Sequence, residues 1–151
     1  MSKNAITKAE EIIRNNSAEV NPGLGVAISL LDHEGYPTTS TLSIAKADGI
    51  RHITFGGSLE SNKVKRIKES SRASVCIFDD NFESGAYYNI TLVGDIEILT
   101  DPESKKAAWY PALEGHFANG VDDPDYCVLK FTTKRYNLWV DLEADEVTGS
   151  F

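Results

Sequence analysis

The spacing of hydrophobic positions changes along this chain, and each change marks an element. Residues 4–16 carry Ile6, Ala9, Ile12 and Ile13 at helical spacing, with Lys8, Glu10, Glu11 and Arg14 between them, which predicts an amphipathic helix. Asn21-Pro22-Gly23 breaks that pattern. Strands are then predicted at Leu24–Leu31, Thr38–Ala45 and Ile50–Phe55, runs dense in apolar and β-branched residues. The turn Asp32–Pro37 separates the first two, and Asp48-Gly49 is a hairpin signal between the second and third. Gly56-Gly57 is expected to close the third strand. A second helix is expected from about Leu59 to Glu69, with Ser58 as its N-cap, Val64 and Ile67 inward, and Lys65, Arg66 and Lys68 in water. Strands follow at Ala73–Phe78 and Ala86–Leu99, where Gly94 marks a bulge or a close backbone approach. Asp101-Pro102-Glu103 opens a third helix that ends near Tyr110-Pro111. A loop over 112–125 leads to strands Tyr126–Thr132 and Arg135–Asp141.

About seven strands and three short helices result, with no sustained β-α-β alternation. That favours a mainly β protein, an antiparallel barrel, over a doubly wound sheet. The 151 residues suit one domain over 1–151.

Composition narrows the partners. The net charge of -8 argues against general binding to nucleic acid or anionic membranes, while leaving room for one basic pocket. No apolar run approaches the ~20 residues of a membrane span, and residues 1–16 lack the apolar core of a signal peptide. A cytoplasmic protein with reduced thiols is expected. Cys76 and Cys127 lie in apolar runs and are expected to be buried. His33, His52 and His116 have no metal-ligand spacing with each other or with the cysteines. His116, near Trp109 and Phe117, is the one candidate for a pocket. Asp122-Asp123-Pro124-Asp125 lacks the spaced carboxylates and glycine of a calcium loop and reads as a turn.

The stretch Phe55-Gly56-Gly57-Ser58-Leu59-Glu60-Ser61-Asn62-Lys63 carries the most chemistry. A strand gives way to a helix start, where unpaired amides and the positive end of the helix dipole favour an anion. Ser61 adds a hydroxyl and Lys63 a charge, and the glycines let a flat ring lie against the main chain. Lys63, Lys65, Arg66, Lys68 and Arg72 are 5 of the chain's 15 Lys and Arg residues. On these residues alone, a capped amphipathic helix with a solvated basic face is the simpler reading, because a strand, two glycines and a helix make a weak motif.

The spacing Phe-x-Gly-x-x-x-Ser-x-Lys followed by Val64, Ile67 and Arg72–Cys76 resembles the pyridoxamine 5′-phosphate oxidase-like flavoproteins, closest to their general stress protein group. The likeness runs from about Val26 to Asp141. It includes the Asp32–Pro37 turn, Val93-Gly94-Asp95-Ile96-Glu97, Asp101-Pro102 followed by Trp109, Asp123–Lys130 and Tyr136-Asn137-Leu138-Trp139. The resemblance implies a split β-barrel that binds FMN at a homodimer interface. It implies that Ser61 and Lys63 hold the phosphate with Asn62 beside it. Phe55 and Gly56 would line the isoalloxazine edge, Thr39, Ser40 and Thr41 would border the flavin, and Trp109 and Trp139 would close the site, from either subunit. Many relatives place an arginine on the strand where Thr38-Thr39-Ser40-Thr41 stands. A charge-assisted contact worth about 1–2 kcal/mol is therefore replaced by hydroxyls.

The implied activity is that of a flavin-dependent oxidoreductase, with NAD(P)H or a reduced flavin as donor. Pyridoxamine-phosphate oxidation itself is not expected, because the substrate-binding arginine and histidine it needs cannot be identified. The alternatives are a non-catalytic flavin- or haem-binding module, a sensor or store, and a barrel serving only as an interaction domain.

Overall fold

The computed structural model describes residues 2–79, 87–141 and 145–151. The elements run α1 (Ser2–Asn15), β1 (Gly25–Leu31), β2 (Pro37–Asp48), β3 (His52–Ser58), α2 (Asn62–Glu69), β4 (Arg72–Asp79), β5 (Tyr88–Leu99), α3 (Pro102–Ala108), β6 (Tyr126–Trp139) and β7 (Val147–Ser150). The strands form one antiparallel sheet in the order β3-β2-β1-β4-β5-β6-β7. β3 also pairs with β6, closing six of them into a barrel. The barrel and its short helices are the mainly β split-barrel architecture the sequence implies.

Alternation builds the core. Val26, Ile28 and Leu30 of β1, Val75 and Ile77 of β4, Ile90 and Leu92 of β5, and Leu129 and Phe131 of β6 all point inward and are buried. Ala9 and Ile13 of α1 and Val64 and Ile67 of α2 pack on the same core. A smaller cluster lies outside the barrel wall. There Ala45, Tyr126 and Val128 are covered by Ala108, Leu113 and Phe117 of the segment after β5.

The β1–β2 and β2–β3 turns each depend on a glycine. Gly35 has φ +86° in the β1–β2 turn, where Asp32 Oδ1 accepts from the amides of Glu34 and Tyr36, both at 2.9 Å. Gly49 has φ +58° in the β2–β3 turn.

Several elements depart from the pattern in the sequence. β3 continues through Gly56-Gly57 to Ser58, because both glycines pair with β6 opposite Val128 and Cys127. The second helix starts at Asn62 and its cap is Ser61, not Ser58. Ser58 is still in the β3 ladder, and the amides of Leu59 and Glu60 are turned toward Asp125. The strands expected at 126–132 and 135–141 are one strand, β6. A bulge opposite Val93/Gly94 absorbs the polar interruption Thr132–Lys134. A Cβ on Gly94 would lie 2.0 Å from the carbonyl oxygen of Thr132, so the close approach expected there is real. β7 is four residues without an apolar alternation and leaves no signal in the pattern. α3 ends at Ala108, and the loop beyond contains 3-10 helices at Pro111–Gly115 and Gly120–Asp122. Ala86, expected to begin β5, lies outside the described residues. Cys127 is buried, but Cys76 is only half-buried, because it faces outward from β4.

Candidate functional site

Strand divergence creates a cleft. β2 and β3 pair through Ile44 and Phe55. Beyond that pair β3 follows β6, with Gly56, Gly57 and Ser58 opposite Val128, Cys127 and Tyr126. β2 instead stays with β1, with Ser43 opposite Gly25 and Thr41 opposite Ala27. The gap that opens is about 860 Å³. Thr41, Leu42 and Ser43 form one wall, and Gly56, Gly57, Ser58, Ser61 and Lys63 form the opposite one. Tyr110, Leu113, His116 and Phe117 of the 3-10 segment stand over it, with Asp125 at the edge. The volume falls within the ~300–1,000 Å³ of small-molecule and cofactor sites.

The glycines set how closely this wall packs. A Cβ on Gly56 would meet Leu113 Cδ2 at 3.1 Å, so glycine lets the 3-10 segment lie against β3. Behind it Tyr126 packs edge-on to Trp109 at 5.2 Å between ring centroids and donates its hydroxyl to the Lys105 carbonyl at 2.8 Å. Burial pushes the Tyr126 phenol up to about 12 and raises that of Tyr110, so both hydroxyls stay neutral in ordinary buffers.

The polar groups favour an anion. Lys63 has no carboxylate within ion-pair distance among the described residues, and no other lysine or arginine borders the cleft. Ser61 Oγ accepts the Val64 amide at 3.3 Å and keeps its own proton free to donate into the gap. The amides of Asn62 and Lys63, at the first turn of α2, have no acceptor inside the helix. One ammonium, one hydroxyl and two amides make a donor set that suits a phosphate monoester. The described residues hold no cluster of histidine, cysteine or carboxylate groups arranged for a metal ion.

The residues expected around FMN separate in the structure. Thr41, Gly56, Ser61 and Lys63 come together at the cleft. Asn62 is exposed beside them on α2. Phe55 does not border the cleft: its side chain is 0% exposed inside the barrel, because inward and outward positions alternate and Gly56 takes the outward one. Thr39 is further along β2, bonded to Ser29 Oγ at 2.7 Å, and Ser40 is paired with Ile28. Trp109 packs edge-on against Tyr126 behind the wall. Trp139 lies at the far end of β6, opposite Asn89 and 5.0 Å from the Tyr87 ring.

Asp125, Tyr110, Leu113 and Phe117 reach the cleft without being foreseen. Their positions follow from how the segment between β5 and β6 folds over Gly56, and no local pattern encodes that. Asp125 read as part of a turn, which it also is.

The model of the family described as pyridoxamine 5′-phosphate oxidase like matches residues 29–148 of this chain. The chain belongs to that family. Among solved structures, this family member is similar to a protein from Clostridium acetobutylicum related to general stress protein 26 of B. subtilis. The two are 26% identical, with 100% of this chain and 96% of the other covered and a TM-score of 0.79. General stress protein 26 from Bacillus anthracis str. Sterne is 14% identical, over 96% and 97% of the two chains, with a TM-score of 0.75. A heme binding protein from Mycobacterium smegmatis is 18% identical, over 95% of this chain and 57% of that one, with a TM-score of 0.70. The last two likenesses are of fold alone. No curated protein matches at a significant level. No helix among the described residues is long and apolar enough to cross a membrane.

Proposed function

We propose that residues 1–151 form a single FMN-binding domain that acts as a flavin-dependent oxidoreductase in a homodimer. The observation that carries this reading is Lys63, without an ion-pair partner among the described residues, beside Ser61 and the free amides of α2 in a cleft of cofactor size. Family membership supports it. In this reading Ser61, Lys63 and the amides of Asn62 and Lys63 take the phosphate. Gly56 and Gly57 border the ring with main chain, and Thr41 and Ser43 offer hydroxyls from the other side. Leu113 and Phe117 keep water from one face. Bound flavin would supply electron transfer to and from a small substrate. The chain's part is to hold and orient it.

The homodimer is supported by the outward face of β1, β4 and β5. Thr41, Ala27, Cys76, Thr91 and Asn137 lie side by side across β2, β1, β4, β5 and β6 without a charge. Phe78, 57% exposed, sits beside Asn89 and Trp139 on the same face. Depletion of charge with exposed aromatics marks the centre of protein interfaces. Thr41 belongs both to this face and to the cleft, so a second subunit docked here would complete the site. It would also give Trp139, remote from the cleft of its own chain, a route to the flavin.

Purified protein loaded with FMN tests the activity. Bleaching of the flavin absorbance by NADPH or NADH without oxygen, and its return in air, is the expected result. Flavin that binds and stays oxidised with either donor, and with a reduced flavin, would favour a non-catalytic module.

A haem-binding role is the second reading, and His116 on the cleft wall favours it, since imidazole is a haem-iron ligand. The solved heme binding protein with this fold adds to it. Haem titration of the protein and of His116→Ala decides it, through a Soret shift that the variant lacks.

A further inference from the structure

We propose that Asp125 is a positioning residue that holds the β3–α2 turn in the shape that aims Ser61, Lys63 and the first amides of α2 into the cleft. This rests on the phosphate-binding reading given above.

Asp125 lies 67 residues beyond Ser58, just before β6, and grips the turn at three points. Its carboxylate accepts from the Ser58 hydroxyl at 2.5 Å and from the Glu60 amide at 3.3 Å. Its main-chain carbonyl accepts from the Leu59 amide at 2.9 Å. Within the turn itself, the Ser61 amide bonds back to the Ser58 carbonyl at 3.0 Å, and the Glu60 amide also reaches Ser58 Oγ at 3.3 Å. Three of the hydrogen bonds that fix residues 58–61 are therefore supplied by one side chain and its own carbonyl.

Asp125 is in turn fixed from behind. Its amide donates to Asp123 Oδ1 at 3.0 Å, and Asp123 Oδ2 accepts from the Asn119 amide at 3.2 Å. Lys105 of α3 donates to the Asp123 carbonyl at 3.0 Å. The segment that roofs the cleft and the turn that forms its anion-binding wall are thus tied through two aspartates.

A carboxylate beside a phosphate site carries an electrostatic cost, because like charges repel. Its two oxygens face Ser58 and Glu60. Among the described residues it makes no hydrogen bond or ion pair with Ser61, Asn62 or Lys63, whose donors are left over. An asparagine offers one acceptor oxygen where the carboxylate offers two, so it cannot serve Ser58 and Glu60 equally. An alanine serves neither.

The test compares FMN with riboflavin, which lacks the phosphate, on the wild type, Asp125→Ala and Ser58→Ala, by flavin fluorescence. Exchange of the Glu60 amide is followed by NMR without flavin. The wild type is expected to prefer FMN by at least about tenfold, as one charge-assisted contact implies. Asp125→Ala is expected to lose most of that preference, by about tenfold, while riboflavin affinity changes by less than about twofold. Its Glu60 amide exchanges faster. Ser58→Ala falls between the two, and it decides the matter by the same ratio if Asp125→Ala does not fold. An unchanged preference in the folded variants overturns the proposal, and so does an increased one, which would make Asp125 a repelling charge. A wild type that binds both flavins equally refutes the phosphate reading itself, and this proposal with it. That failure is visible before any variant is made.

Discussion

Ile44 and Phe55 are the last residues β2 and β3 share in their ladder before the two strands part around the cleft. Both are 0% exposed, so the hinge of the split is anchored in the core. Phe55→Ala is therefore expected to cost about 3–5 kcal/mol, as large-to-small changes in cores do. Phe55→Leu, which keeps most of the volume, is expected to retain FMN binding. Thermal melts and FMN titrations of the two variants check this. Loss of FMN binding in a Phe55→Leu protein of native stability would give Phe55 a direct role at the ligand.

Gly94 lies against the β6 bulge, where a Cβ would meet a backbone oxygen and not the end of a mobile side chain. Gly94→Ala is expected to destabilise the barrel by about 3 kcal/mol, the upper end for overpacking. Gly56→Ala crowds the tip of Leu113 and touches the Tyr126 ring at an ordinary 3.7 Å, and it is expected to cost less, about 1 kcal/mol. Urea midpoints of the two variants give the comparison.

Burial holds the Tyr126 phenol at about 12 and the Cys127 thiol at about 11, above their ordinary 10.0 and 9.0. Both groups keep their protons longer in the folded chain than in the unfolded one. The unfolded state therefore binds fewer protons above pH 9, and stability falls with rising pH. The contribution is complete below pH 9 and is lost progressively toward about pH 12. Urea midpoints should fall between pH 8 and 10.5, less steeply in Cys127→Ala. A flat profile would mean that these groups are not held neutral.

The uncharged outer face predicts an assembly. Phe78→Glu places a charge beside Asn89 and Trp139 and is expected to convert a dimer to a folded monomer, measured by light scattering. Cys76, on the same face, should then alkylate faster than in the wild type. A wild type that is monomeric at every concentration would remove this face from the account.

Much of the fold was legible because period and turn chemistry agreed. Ala9 and Ile13 of α1, the runs that form β1 and β4, and the Asp101–Pro102 start of α3 all lie where the sequence predicted them. The errors share a physical cause. Gly56-Gly57 reads as a strand end, yet pairing with Cys127 and Val128 carries β3 through it. Thr132–Lys134 reads as a turn, yet a bulge absorbs it. Ser58 reads as a cap, yet Asp125 claims it from 67 residues away. In each case a long-range hydrogen bond overrides local propensity. The candidate site was legible at Ser61 and Lys63, whose chemistry is local. It was not legible at Phe55, whose side of the strand depends on where the alternation falls, nor at Leu113, Phe117 and Asp125, which tertiary folding brings in.

The most direct test is an FMN titration of the wild type against Lys63→Ala. The account predicts saturable binding of one FMN per chain, weakened at least about tenfold in the variant by loss of the one lysine that borders the cleft among the described residues. A folded Lys63→Ala protein that binds FMN as tightly as the wild type would contradict it.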